Sequence, residues 1–406
     1  MNKNSLNQTA LKAITATLNY CADEHYTGYS LYDSHNGAIP FGSFGRSVSF
    51  YANQIIKRSP LNFRPLLGIK KGINPKGMGL FLYALSELAH AGIDLPGVRW
   101  AHGSMRAEMD HFFSWLANHP SEGYKGYAWG YNYDWPKKDG GLVKAYTPSS
   151  VVTGFNARAV HAYYRHTKAE EAAKVLKGCA TFIINHIPTT ETEQGLCFSY
   201  IPIKRDITIN ANLLAAEVLA YADEANQERQ YEQQIQKVLA FTLARQNPDG
   251  SWYYSHSVET DAPKKQIDFH QGYVLESVYR ICTTYGIDLG PYRAMLEAGL
   301  MFYLNNQFDA EGRALWRFPK KWPVDIHNQS QGIITFSLMR NLLSDGLGMV
   351  SRILSYTLNE MQDAKTGRFY YQKWPFMTAR TPYMRWNQGW MVVALTHVLL
   401  STYMQS

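Results

Sequence analysis

The sequence has few cysteines, and no two of them are closely spaced. Among its 406 residues, Cys21, Cys179, Cys197 and Cys282 lie far apart. A zinc site typically uses closely spaced Cys or His pairs, and a disulfide framework uses a dense set of cysteines, so neither is indicated. We therefore expect four reduced thiols that serve mainly in packing, and we expect no metal ion or other cofactor.

The sequence also lacks a long apolar run. No stretch approaches the roughly 18 to 20 apolar residues of a membrane-spanning helix, and the N-terminal region contains no apolar core of signal-peptide length. No low-complexity segment interrupts a composition that is 46% hydrophobic and 18% charged. These absences favour an ordered, cytoplasmic protein without a transmembrane segment.

The formal net charge of +7 favours an anionic partner. Acidic glycans, nucleic acids and anionic membrane surfaces all meet that description. The basic residues are scattered through loops without a nucleic-acid-binding motif, so nucleic acid is the least favoured partner. Peripheral contact with a membrane stays open, and the sequence does not indicate an oligomeric state.

Apolar residues recur at helical spacing along most of the chain, whereas the alternation typical of β-strands is scarce. This pattern predicts an all-α fold. The predicted helical runs lie near residues 5–22, 46–58, 75–92, 103–118, 150–166, 168–187, 209–224, 229–245, 269–285, 291–306, 328–342, 345–361 and 386–404.

Three segments share a further pattern, which is a glutamine, a polar turn, a glycine and then aromatic residues. They are residues 244–254, 305–318 and 360–371. A glycine beside Asn or Asp lets the chain leave a helix through a left-handed turn. Polar residues then open the following helices with a period of about 60 residues, and these residues are Ser150, Asn210, Gln271, Gln329 and Gln388.

A period of this length fits one helix hairpin plus a long loop. We therefore predict an (α/α)6 toroid with an additional N-terminal helix, in which each inner helix follows an outer helix through a long loop. In the predicted division, an N-terminal helical segment at residues 1–60 packs on a toroid formed by residues 61–406, as a single structural domain overall. An α-solenoid that does not close is the structural alternative.

The N-termini of the inner helices and their loops would meet at one open face, where unpaired backbone amides favour anions. Two loops carry related sequences, DFHQG from Asp268 and DIHNQSQG from Asp325. Helix capping explains the acid, but it does not explain the histidine two residues later, although such a histidine can also be a core residue. The candidate catalytic residues are His270, His327, Asp268, Asp325, Asp134 and Tyr383.

The same loops are rich in aromatic, basic and amide side chains. Flat aromatic faces stack on sugar rings, and arginine pairs with carboxylates in bidentate fashion. Some of these aromatics can instead pack the loop onto its helix. The candidate substrate-binding residues are Arg385, Trp386, Arg313, Trp129, Tyr131, Tyr133, Tyr200, Asn210, Trp252, Tyr254, Gln271, Gln329 and Tyr370.

Short segments carry resemblances to known families. QNPDGSW (246–252) resembles the Gln-x3-Gly-x-Trp repeat of triterpene cyclases and related α-toroids, although the cyclases' Asp-x-Asp-Asp motif is absent. RWNQGWMVVAL (385–395) resembles the start of the last inner helix in (α/α)6 carbohydrate enzymes, such as unsaturated glucuronyl hydrolases and uronyl lyases or epimerases. Residues 59–81 are similar to helical proteins encoded in bacterial surface-polysaccharide loci. These resemblances imply an α-toroid that acts on a glycan.

Three functions fit this set of residues. The leading hypothesis is an enzyme that acts on an acidic, uronic-acid-containing bacterial polysaccharide or oligosaccharide, by C5 epimerisation or lyase-type proton abstraction. A glycoside hydrolase that uses paired aspartates is the first alternative. The second is a noncatalytic glycan-binding or scaffold protein of a polysaccharide assembly pathway.

Overall fold

The computed structural model describes residues 2–39, 41–136 and 142–403. Its strands are short and its helices long, as the sequence predicts, although the predicted run 386–404 ends one residue beyond the described part. The helices are α1 (Lys3–Asp23), α2 (Arg46–Arg58), α3 (Pro75–His90), α4 (Met105–Asn118), α5 (Ser150–Thr167), α6 (Glu170–His186), α7 (Ile209–Asn226), α8 (Glu232–Leu243), α9 (His270–Tyr285), α10 (Gly290–Gln307), α11 (Ile326–Leu338), α12 (Gly346–Met361) and α13 (Trp390–Tyr403). The strands are β1 (Trp135–Pro136), β2 (Leu142–Val143), β3 (Thr189–Thr192), β4 (Gly195–Phe198), β5 (Ile207–Thr208), β6 (Ser255–His256), β7 (Pro263–Lys264), β8 (Val324–Asp325), β9 (Gln372–Lys373) and β10 (Thr378–Ala379).

Alternate helices form a closed inner ring. Within the described residues this ring consists of α3, α5, α7, α9, α11 and α13, and each helix packs on the next. Helix α13 packs on α3 as well as on α11, so the ring closes. The chain therefore forms the predicted (α/α)6 toroid, and the open solenoid is excluded.

The outer helices pack around this ring, and helix α1 is one of them. Helices α4, α6, α8, α10 and α12 lie against inner helices, and α1 lies against α13. The side chain of Asn7 donates a hydrogen bond to Thr402 over 2.8 Å, which ties α1 to the last inner helix. The additional helix at the N-terminal side is α2, whereas α1 completes the outer layer.

The distribution of apolar residues explains which helices lie inside. Almost every side chain of α13 is buried, which is the pattern of a helix surrounded by protein. Outer helices such as α6 bury their apolar face and expose the opposite face. No helix in the described ranges has the length and apolar character that a bilayer crossing requires.

Side chains near the start of the inner helices fasten the preceding loops. Gln271 accepts a hydrogen bond from the backbone N–H of Trp252 over 3.0 Å and donates one to the carbonyl of Gly250 over 3.2 Å. Equivalent contacts recur along the chain with a spacing of about 59 residues. Their side chains in the described part are Thr153, Asn212, Gln271, Gln329 and Gln388. This contact is the physical basis of the predicted period.

The glycines in these loops lie against the backbone of outer helices. Gly250 has a φ of +89°, and a Cβ atom there would lie 2.3 Å from the carbonyl oxygen of Ala298 in α10. Gly367 has a φ of +76°, and a Cβ atom there would lie 2.6 Å from the carbonyl carbon of Ala16 in α1. Only glycine fits such a conformation and so close an approach without strain. The contact at Gly367 also shows that α1 takes the outer position beside the last loop.

A buried polar network crosses the ring below its N-terminal end. Arg158 of α5 pairs with Glu217 of α7 over 2.8 Å and with Glu276 of α9 over 2.7 Å. Because these buried charges are paired, the network forms a polar floor inside the ring without leaving Arg158 uncompensated. It extends to the other inner helices through Arg280 of α9, Gln331 of α11, Tyr83 of α3 and His397 of α13.

The segment between α1 and α3, residues 24–74, packs on the loops at the N-terminal end of the ring. Arg64 pairs with Asp33 over 2.9 Å, and its guanidinium lies 4.9 Å from the ring centroid of Tyr383. The Tyr383 hydroxyl donates to the backbone carbonyl of Lys57 in α2 over 3.2 Å. Helix α1 belongs to the outer layer of the toroid, and residues 24–74 cover its rim. The division into residues 1–60 and 61–406 stays a prediction.

Candidate functional site

The loops that lead into α9, α11 and α13 meet at the N-terminal end of the inner ring. Strands β8 and β9 pair in antiparallel fashion, so that Asp325 lies opposite Gln372. A π-helical turn at Met384–Gly389 then leads into α13. This arrangement brings His270, His327 and Arg385 into one cluster of side chains above the polar floor, and we call this cluster the rim chamber.

Asp268 orients His270. Its Oδ1 lies 2.5 Å from Nδ1 of His270, and its Oδ2 accepts a hydrogen bond from Gln266 over 2.7 Å. Burial alone raises the pKa of Asp268, but the interaction with His270 and the hydrogen bonds together hold that pKa below its ordinary value. Because the ionised carboxylate accepts from Nδ1–H, Nε2 is the basic nitrogen of the neutral imidazole. The His270 ring is partly exposed, so a ligand can reach it.

His327 is buried in the first turn of α11. Its Nε2 shares a hydrogen bond with the hydroxyl of Tyr273, and its Nδ1 has no hydrogen-bond partner among the described residues. Burial, followed by the charges of Lys76 and Arg385, holds the pKa of His327 well below its ordinary value. Burial also raises the pKa of Tyr273 well above its ordinary value. At neutral pH both partners are therefore uncharged.

Aromatic rings surround the two histidines. The ring centroid of Phe269 lies 4.2 Å from that of His270 and 4.4 Å from that of His327. The centroids of Trp386 and Trp390 lie 4.3 and 4.7 Å from that of His327. These rings exclude water from His327 and form the apolar wall of the rim chamber.

Lys76, in the first turn of α3, is a buried cation without a carboxylate partner among the described residues. Its Nζ lies 3.8 Å from the ring centroid of Phe155 and 5.1 Å from that of Trp390. Burial, together with the charges of Arg385 and Arg158, holds the pKa of Lys76 well below its ordinary value. Ring faces attract the ammonium group, but they do not neutralise it.

Arg385 is a second buried cation that pairs with no acid in the described part of the chain. Its guanidinium carbon lies 4.9 Å from the ring centroid of Tyr131 and 5.3 Å from that of Trp386. One terminal nitrogen lies 3.5 Å from the Tyr133 hydroxyl, whereas Nε has no hydrogen-bond partner among the described residues. A buried, unpaired charge is costly, so Lys76 and Arg385 together suit a carboxylate or phosphate of a ligand.

Asp325 caps α11 and has several donors. Its Oδ1 accepts hydrogen bonds from the His327 backbone N–H and from Nε1 of Trp386, both over 2.9 Å, and its Oδ2 accepts one from Gln372 over 2.6 Å. Burial nevertheless raises the pKa of Asp325. The pKa values of Asp268 and Asp325 thus move in opposite directions.

Several predicted substrate-binding residues have clear structural contacts. Gln271 and Gln329 use their amides on the backbone of the preceding loops. Trp129 and Trp252 are buried, and their indole N–H groups donate to backbone carbonyls at the ends of α4 and α8. Contact of these four residues with a substrate stays a prediction, since these bonds already give each one a structural role.

The remaining predicted residues lie at different places around the rim. Tyr131, Tyr133 and Tyr254 contact Arg385 or His270 and belong to the rim chamber. Asp134 precedes a strand instead of a helix and binds Ala145 and Lys144. Arg313 pairs with Asp309, and Tyr370 lies beside Arg380. The rings of Tyr200 and Trp135 meet edge to face, and Asn210 lines a small cavity with His270. Tyr383 packs under residues 24–74.

The sequence interpretation assigned no role to four residues of the rim chamber. They are Lys76, Phe269, Tyr273 and Trp390. Lys76 carried a usable signal, because it is a lysine at the start of an otherwise apolar inner helix. The aromatic residues carried none, since aromatic residues on an inner helix are also typical of core packing.

No group of three His, Cys, Asp or Glu side chains within the described ranges is placed to hold a metal ion. The rim chamber instead offers one oriented imidazole, a neutral histidine–tyrosine pair and the cations Lys76 and Arg385.

No family model matches this chain, and no curated protein matches its sequence. Solved structures do share its fold. Cellobiose 2-epimerase from Bacillus thermoamylovorans B4167 superposes with a TM-score of 0.64 at 13% identity, over 81% of this chain and 89% of that chain. An unsaturated glucuronyl hydrolase from Streptococcus agalactiae superposes with a TM-score of 0.62 at 11% identity, over 98% of this chain and 93% of that chain.

A D-mannose isomerase adds a third similar structure, with a TM-score of 0.60 at 12% identity, over 81% of this chain and 87% of that chain. The chain thus has the (α/α)6 toroid of these carbohydrate-active enzymes. At such identities the likeness concerns the fold, and the chemistry has to be argued from the rim chamber.

Proposed function

We propose that this protein is an enzyme that acts on an acidic saccharide and removes the proton next to a uronyl carboxylate. The substrate class is a uronic-acid-containing polysaccharide or oligosaccharide of a bacterial surface, met in the cytoplasm. The neighbouring structures support a saccharide substrate, because their names include epimerases, an isomerase and a glucuronyl hydrolase.

The observation that carries the proposal is a basic imidazole beside unpaired cations. Asp268 holds His270 with Nε2 as the proton acceptor. Lys76 and Arg385 lie in the same chamber without a carboxylate partner among the described residues. A uronate that enters with its carboxylate on these cations would neutralise them and place its sugar ring against the aromatic wall.

The cations would also lower the barrier of the chemical step. When Nε2 of His270 takes the C5 proton, the electron pair left on C5 delocalises into the carboxylate, which gains negative charge. Lys76 and Arg385 would stabilise that charge in a site from which water is largely excluded. The imidazole becomes an imidazolium, which the Asp268 carboxylate stabilises.

The Tyr273 hydroxyl is the proposed acid. It keeps its proton at neutral pH and shares a hydrogen bond with His327. Return of a proton to the opposite face of C5 would invert that centre and give the epimer. Departure of the substituent at C4 with protonation of its oxygen would give an unsaturated product instead.

The test is an incubation with a panel of uronic-acid polysaccharides in deuterated water, followed by proton NMR and ultraviolet absorbance. Deuterium at C5 without cleavage identifies an epimerase, and an absorbing unsaturated end identifies a lyase. His270→Gln removes the base and should abolish both signals. His90→Gln changes an exposed histidine far from the rim chamber and serves as the matched control.

A glycoside hydrolase is a second candidate, favoured by one observation. The pKa of Asp268 is lowered while that of Asp325 is raised, and a hydrolase needs one ionised and one protonated carboxyl group. New reducing ends without deuterium at C5, lost in Asp325→Asn, would favour hydrolysis over proton abstraction. Binding of a polymer without any product would instead favour a noncatalytic glycan-binding protein.

A further inference from the structure

Helix α2 presents its apolar side chains to solvent. Val48, Tyr51 and Ile55 follow one another at helical spacing on its outer face, and Tyr51 and Ile55 are 63% and 65% exposed. The inner face is fixed by contacts, since Asn53 accepts a hydrogen bond from Ser34 over 3.1 Å. A surface helix normally exposes polar residues and buries its apolar ones. The exposed apolar face of α2 therefore indicates a surface that binds a partner.

The apolar surface continues beyond the helix in both directions. Phe44 precedes α2 and is 61% exposed, while Leu61 and Leu66 follow it and are 64% and 84% exposed. Together with the outer face of α2, we call these exposed residues of segment 44–66 the α2 face. Single exposed apolar residues are ordinary, but a group of them along one segment marks an interaction site.

The charge of the same region identifies the covering partner. Residues 34–86 contain no Asp or Glu. Among their cations, Arg58, Lys70 and Lys71 are partly or fully exposed, whereas Lys57, Arg64 and Lys76 are buried. A second copy would set one basic face against another, whereas an anionic lipid surface would complement both the charge and the apolar side chains.

We propose that the α2 face docks this protein on an anionic membrane surface. The helix would lie in the plane of the interface, with Val48, Tyr51 and Ile55 among the acyl chains and with Arg58 and Lys70 near the lipid headgroups. Because the inner side of residues 24–74 packs on the rim loops, docking would bring the open end of the toroid close to the membrane. The proposal does not depend on the reaction assigned to the rim chamber.

The test is flotation of the purified protein with lipid vesicles at low and high salt. Vesicles of phosphatidylcholine with about one third phosphatidylglycerol should carry the protein, and vesicles of phosphatidylcholine alone should carry much less. Higher salt should weaken the binding. The triple variant Val48→Ser, Tyr51→Ser and Ile55→Ser should lower the partition coefficient by at least about tenfold.

The control variant is Ile184→Ser, Leu243→Ser and Met301→Ser, which removes exposed apolar side chains from α6, α8 and α10. It should float like the unchanged protein, and circular dichroism checks that both variants are folded. Equal flotation of the two variants, or no flotation with anionic vesicles, would overturn the proposal. So would a dimer in sedimentation that only the α2 variant dissociates, because the face would then be a contact between two copies.

Discussion

The Asp268 carboxylate lies 2.5 Å from Nδ1 of His270, two residues further along the chain. Such a contact decides which nitrogen of the imidazole carries the proton. The same Asp268 oxygen accepts the backbone N–H of His270, the first residue of α9, over 3.2 Å. One carboxylate thus holds both the backbone and the ring of His270, although the N-cap residue of α9 is Phe269.

Asp268→Asn should therefore impair turnover without unfolding the protein. An amide in this place no longer favours the Nδ1–H tautomer, and we expect turnover to fall by about 10² to 10⁴-fold. Nitrogen NMR of the His270 ring gives a readout that needs no substrate, because the tautomer should change. Asp134→Asn, at a rim carboxylate that binds Ala145 and Lys144, is the control. An unchanged tautomer and unchanged turnover in Asp268→Asn would contradict the assigned role.

Lys76→Met should separate ligand binding from stability. Removal of a buried charge without an acidic partner in the described part should raise the free energy of unfolding by about 1 to 2 kcal/mol. Binding of an acidic oligosaccharide, followed by calorimetry, should be lost at the same time. Lys177→Met removes an exposed lysine that pairs with Glu228, so it should leave stability nearly unchanged. A large loss of stability in Lys76→Met would mean that Lys76 is structural.

His397 should make the protein less stable in acid. Burial and then the charge of Arg280 lower the pKa of His397 to about 4. The unfolded chain protonates this histidine near pH 6.5, so between these values the unfolded state binds more protons and stability falls as pH falls. The full effect is at most about 3 kcal/mol.

Urea unfolding at several pH values checks this prediction. His397→Gln should show a smaller loss of stability between about pH 6.5 and pH 4 than the unchanged protein. His90→Gln, at an exposed site, should keep the original pH dependence. If the free energy of unfolding of His397→Gln and of the unchanged protein fell equally with pH, the role assigned to His397 would be refuted.

Gly250→Ala should destabilise the toroid more than a glycine substitution in open space. The left-handed backbone costs an alanine about 1 to 2 kcal/mol, and its Cβ would lie 2.3 Å from the Ala298 carbonyl oxygen. We expect a total loss of at least about 3 kcal/mol. Gly123 also has a positive φ, of +83°, but a Cβ atom there would meet no neighbour within 4 Å, so Gly123→Ala isolates the backbone cost. Equal losses in the two variants would show that the contact with α10 relaxes.

The sequence predicts the helices and their period well because both depend on local chemistry. The run predicted at 46–58 and helix α2 have the same bounds. The sequence pattern places the period at Asn210, whereas the side chain that fastens this loop is Asn212, two residues later. That difference lies in side-chain direction, which apolar spacing does not specify.

The parts that the sequence did not predict depend on distant contacts. The sequence predicts helix α1 as an addition to the toroid, but α1 packs on α13, which lies hundreds of residues away along the chain. Similarly, the cations Lys76 and Arg385 come from helix α3 and from the turn before α13. Only the folded arrangement shows that no acid within the described residues pairs with Lys76 or Arg385. For the same reason, only the folded arrangement indicates that the two side chains can bind an anion.

The packing of α1 on α13, the helix that closes the inner ring, has a consequence for how the protein is made. Asn7 and Thr402 are hydrogen-bonded although 395 residues separate them. On the ribosome, α1 emerges long before the helix that it packs on, and α3 lacks one neighbour until α13 has been synthesised. Contacts of such high sequence separation form late and leave apolar helix faces open to aggregation. We expect nascent chains of this protein to need shielding by chaperones until α13 has left the exit tunnel.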